Sequence, residues 1–194
     1  MNVDSAYGID LYWLPLGAGG RSVRLNGRVY EAMLARLEKR SPLALYHSAI
    51  VVNAPSGCFV IEVTPVANGD RMLRGVVAEG AVGSQWVRRL RVFRYEVRCW
   101  RDGTIPDIGE AVESPRHLSD DEEVSEDLLR LVPDVPTLVW GRDERGTGDM
   151  WNSNSVISWL ITRSGLPIET VHPPTGGRAP GWNAGIVVAL REQA

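Results

Sequence analysis

The chain has only two cysteines, three histidines and two phenylalanines in 194 residues. Cys58 and Cys99 are too few and too far apart for a disulfide framework or a zinc-ligand spacing, and they read as reduced core residues on strands. His47, His117 and His172 are scattered, with no cysteine or carboxylate beside them at ligand spacing, so no metal and no cofactor are expected. No apolar run approaches the roughly 20 residues that a membrane span needs. Met1 to Asp10 carry acids and no apolar core, which excludes a signal peptide at this end. No membrane is therefore expected, and the cytoplasm is the default location. The loop Gly17-Ala18-Gly19-Gly20 is not followed by Lys-Ser or Lys-Thr at phosphate-loop spacing and reads as a turn. A net charge of −3 provides no global field toward nucleic acid or an anionic membrane.

What the chain does have is an ordinary globular balance, 44% hydrophobic and 23% charged, enough for one domain over residues 1–194 with a sizeable core. Seven tryptophans stand against the two phenylalanines, and each indole N–H needs a partner, which favours half-buried rims or a cleft. Leu11 to Leu16 reads as a strand and Val29 to Lys39 as a helix with Val29, Met33 and Leu37 on one stripe. Leu45 to Val52 and Cys58 to Val63 flank Asn53-Ala54-Pro55-Ser56-Gly57 and predict a hairpin. Val92 to Trp100 is a further strand, and Val76 to Val82 a weak one. Ser119 to Val132 reads as a helix opened by a Ser119–Glu122 capping box. Asn152 to Ser164 is a helix apolar nearly all round, stopped by Gly165 and Pro167. Ala184 to Leu190 reads as a buried strand. Together these predict an α+β fold: an antiparallel sheet packed with about three helices.

Chemistry concentrates at Trp151-Asn152-Ser153-Asn154-Ser155, at the head of that apolar helix. A helix start offers unpaired N–H groups and the positive end of a dipole, so it suits a nucleophile, an anion or a cap. Pairing Val52 with Gly57 would set His47 directly across from Glu62, where a carboxylate can orient an imidazole. A slip of one residue would move Glu62 to the other face. Around residues 177–185, small residues surround Arg178 and Trp182, which suits a tight backbone approach or a cleft wall. Residues 71–101 carry eight arginines among aromatics, expected to face water or to pair with the acidic stretch from Asp107 to Asp127. Binding of nucleic acid there is disfavoured by the overall charge. His117 reads as a surface loop residue.

The order of a strand histidine, a polar group on the next strand and a helix-head nucleophile resembles the circularly permuted papain-like fold of NlpC/P60-type hydrolases and lecithin:retinol acyltransferase-like proteins. Asn152-Ser153-Asn154-Ser155-Val156 is similar to their Asn-Cys-x-x-Phe motif, with Ser153 where the cysteine would stand. The resemblance spans residues 45–165 and implies attack on an amide or ester carbonyl, with Ser153 as nucleophile, His47 as base and Glu62 as orienting group. Asn152, Trp151, Arg178 and Trp182 would line the cleft. A hydroxyl is far less acidic than a thiol and needs a base in contact as its proton leaves. The alternative is thus a non-catalytic module that keeps the cleft for binding a small molecule or peptide.

Overall fold

The computed structural model describes residues 7–16, 43–66 and 71–194. The predicted helix Val29 to Lys39 and the Gly17–Gly20 loop lie outside these residues. The α+β prediction holds. Strands β1 (Gly8–Pro15), β2 (Ala44–Ala54), β3 (Gly57–Pro65), β4 (Val76–Ala81), β5 (Arg94–Arg101) and β6 (Arg116–Ser119) form a sheet in the order β4-β5-β3-β2-β1-β6. Every neighbouring pair along that order is antiparallel, and a two-residue strand β7 (Gly177–Arg178) runs parallel to the start of β2. Three α-helices are described: α1 (Glu122–Leu131), α2 (Ser153–Arg163) and α3 (Trp182–Gln193). No helix among the described residues is long and apolar enough to cross a membrane.

The sheet buries both faces, and strand alternation assigns each residue to one of them. Ile9, Leu11 and Trp13 of β1, Ile50, Val52 and Ala54 of β2, and Ile61 and Val63 of β3 pack with Leu128 of α1, Ile157 and Leu160 of α2, and Val188 of α3. This is the helix face. The residues between them, Leu14, Ala49 and Val60, join Ile105 in a smaller cluster on the opposite face.

Three local expectations change. Ala184 to Leu190 lies inside helix α3, not a strand. Gly185, Val188 and Ala189 repeat at helical spacing, and Gly185 lies so close to α2 that a Cβ there would fall 2.0 Å from the Ser155 carbonyl oxygen. Helix α1 is capped by Asp121, whose carboxylate accepts from the Glu123 and Val124 N–H groups at 2.8 and 3.1 Å. Ser119 instead ends β6, so the predicted Ser119–Glu122 capping box does not form and the cap lies two residues later, at Asp121. His117 lies on that edge strand and not in a loop. It is half-exposed between Asp10 at 3.0 Å and Asp120 at 3.1 Å. The hydrogen bond from Asp10 holds the imidazole above its ordinary value, with Asp120 adding to it and burial opposing.

Candidate functional site

At the start of α2 every polar side chain from Asn152 to Ser158 is buried. Asn152 Oδ1 accepts the Asn154 N–H at 2.9 Å, and Ser155 Oγ accepts the Asn152 N–H at 2.9 Å, closing a reciprocal capping box. The remaining groups reach outward. Asn152 Nδ2 donates to the Pro180 carbonyl at 2.8 Å and Ser155 Oγ to the Gly181 carbonyl at 2.7 Å. Ser158 Oγ donates to the Trp182 carbonyl at 2.7 Å. Asn154 Nδ2 donates to the carbonyls of Tyr46 and Pro180, and its Oδ1 accepts from Ser48 Oγ at 2.9 Å. The helix head is therefore a clasp that ties β2 and the entry to α3 together. Its amides and hydroxyls satisfy backbone groups that burial would otherwise leave unpaired.

The strand residue at this clasp is Ser48, not His47. Ser48 pairs with Trp13, a residue of the helix face, whereas His47 pairs with Leu14 on the opposite face. His47 and Ser153 thus belong to opposite sides of the sheet, and the structure does not bring them together. The β2–β3 hairpin closes through a two-residue turn at Pro55-Ser56, with Ala54 across from Gly57 and Val52 across from Phe59. That register is two residues from the predicted one. It keeps His47 and Glu62 on a common face but sets Ala49, the residue after Ile50–Ile61 in the ladder, across from Glu62. Trp182 is a core residue, its ring 4.8 Å from that of Trp13. Trp151 is fully buried, and Arg178 lies partly exposed on β7.

The second face carries a polar array that sequence reasoning missed. Glu96 on β5 is wholly buried. Arg74 grips it in a fork, Nε to Oε1 and Nη2 to Oε2, both at 3.1 Å, and Arg98 Nε reaches Oε1 at 2.6 Å. Burial pushes the Glu96 carboxyl up, but these guanidinium contacts outweigh it and hold the group below its ordinary value. Beside it, Glu79 pairs with Arg71 at 3.1 Å and with Arg94 at 3.2 Å. Glu62 is 6% exposed, and its Oε1 has no hydrogen-bond partner, the nearest cation being Arg98 at 3.5 Å. Burial pushes its carboxyl up to about 7, with Arg98 opposing and Glu96 adding to the shift. Burial lowers His47 to about 4, with Asp107 opposing. On this face burial thus favours the neutral forms of both the His47 imidazole and the Glu62 carboxyl. Arg71, Arg74, Arg94 and Arg98 pair with glutamates of their own sheet and not with the Asp107–Asp127 stretch. The available signal was the alternation Arg94, Glu96, Arg98 along β5, which a solvated face produces equally well.

No family model, curated protein or solved structure matches this chain.

Proposed function

We propose that this chain is a non-catalytic binding module, in which the polar helix head holds the scaffold together and partners are met on the outer surface. One observation carries this reading: His47 pairs with Leu14 on the sheet face opposite the one on which α2, with Ser153 at its head, is packed. A general base has to come within about 3 Å of the proton it removes, or reach it through one water. Placement on the two sides of a sheet weighs against both. The hydrolase reading requires the imidazole on the helix face, where Ser48 stands. The side-chain groups of Asn152, Asn154 and Ser155 are also engaged, by backbone groups and by the Ser48 hydroxyl, which suits a clasp better than a site that must rearrange around substrate.

A fluorophosphonate probe tests the reading on the wild type and on Ser153→Ala. Neither protein should label while a control serine hydrolase does. Labelling of the wild type that disappears in Ser153→Ala overturns it. So does amide or ester hydrolysis that appears in Ser153→Cys, because that outcome requires a base within reach of the helix head.

A further inference from the structure

The connection between β4 and β5 places apolar and basic side chains together on the protein surface. Two 3-10 turns, Gln85–Arg89 and Arg91–Phe93, form it. Trp86 is 91% exposed, Val92 78%, Leu90 57% and Phe93 39%. Isolated exposed apolar residues are ordinary, but four within eight positions of one hairpin end form a patch. Arg88, Arg89 and Arg91 alternate with them and are also exposed, and no acid occurs from Val82 to Tyr95. Arg89 and Arg91 enter no ion pair among the described residues, unlike the arginines of the adjoining strands. The net charge of −3 thus conceals a segment that is locally basic throughout.

We propose that this hairpin end docks on an anionic phospholipid surface, with Trp86, Leu90 and Val92 entering the interface and Arg89 and Arg91 held at the headgroups. Charge complementarity selects an anionic partner. The apolar set then selects lipid over nucleic acid. A single strand uses aromatic faces for stacking, and leucine and valine offer none. A bilayer interface accepts aliphatic side chains and favours tryptophan. The side chains are exposed, and a fluid interface needs no matching concavity. Such docking lies on the membrane and requires no spanning helix. The proposal rests on the reading of the chain as a binding module and names the partner of that module.

The test is co-sedimentation of the full chain with phosphatidylserine–phosphatidylcholine vesicles and with phosphatidylcholine alone. Binding should require phosphatidylserine and weaken with salt. Arg89→Gln and Arg91→Gln should each lower partitioning about fivefold. Trp86→Ala should lower it further, with the circular dichroism spectrum unchanged because the side chain is exposed. Absence of binding to phosphatidylserine vesicles overturns the inference, as does binding that none of the three variants changes. Capture of a labelled oligothymidylate in place of vesicles, lost in the same variants, overturns it in favour of nucleic acid. None of these outcomes bears on the helix head, which fluorophosphonate labelling addresses separately.

Discussion

The two faces of the sheet bury polar groups by different chemistry. On the helix face, the side chains of the clasp from Asn152 to Ser158 are neutral: hydroxyls and amides meet backbone carbonyls and one another, and the Asp149 carboxylate joins them at the margin by accepting the Gly181 N–H at 2.8 Å. On the other face the polar groups are charged, and Glu96 is buried only because Arg74 and Arg98 surround it. Neutral pairs cost less to desolvate than charged ones and lose less when one member is removed. Charged pairs are expensive to bury and fail badly when one member is removed. The same sheet thus has one face held by neutral pairs and one held by charged ones.

The largest expected effect comes from removing the anion at the centre of the charged face. Glu96→Ala leaves two largely buried guanidiniums without their shared partner and should cost about 3–5 kcal/mol in urea unfolding. Asn154→Ala on the neutral face should cost about 1–3 kcal/mol. Equal costs would erase the contrast between the faces.

The next test is pH. Glu62 folds with its value raised from 4.5 to about 7, so its contribution to stability falls as pH rises through that window. His47 folds with its value lowered from 6.5 to about 4, so its contribution grows as pH rises over that interval. The two slopes oppose each other and nearly cancel between about pH 4.5 and 6.5 in the native chain. Relative to wild type, Glu62→Gln should gain on the order of 3 kcal/mol as pH rises from 4.5 to 7, and His47→Gln should lose a similar amount from 4 to 6.5. Chemical unfolding across that range reads both, and variant curves parallel to wild type would remove titration from the second face.

A smaller effect sharpens the account of the helix face. Gly185→Ala forces a methyl group against the Ser155 carbonyl and should cost about 1–3 kcal/mol by thermal unfolding. A neutral result would mean that α3 does not need its close approach to α2. The smallest effect is at the sheet edge. Asp10→Asn should move the His117 titration downward in an NMR series, since Asp10 is the main cause of its elevation. An unchanged midpoint would leave Asp120 as the source.

The elements legible in the sequence were those with local punctuation. The β2–β3 hairpin announces itself by Pro55-Ser56-Gly57 between β-branched runs, and α2 by its Asn152 cap and its Gly165 stop. Helix α3 was misread because its Ile-Val-Val run favours strand locally, and only its contact with α2 explains Gly185. Which strand residue meets the helix head was illegible for a related reason. Alternation tells which residues of β2 share a face, but not which face will receive a helix that arrives a hundred residues later. His47 and Ser48 were equally eligible until α2 was placed. Glu96 was hidden because a charge facing arginines and a charge facing water leave the same pattern in a strand.

The juxtaposition of Ser48 with the head of α2 bears on how far this scaffold stands from chemistry. Strand parity is a binary property, so neighbouring residues differ in face and in little else. Two substitutions, Ser48→His and Ser153→Cys, would bring an imidazole and a thiol to the same helix end, at the cost of the Ser48–Asn154 hydrogen bond and of crowding where both serines are buried. Measured in mutational steps and not in architecture, a polar clasp and a nucleophilic centre are close neighbours in sequence space.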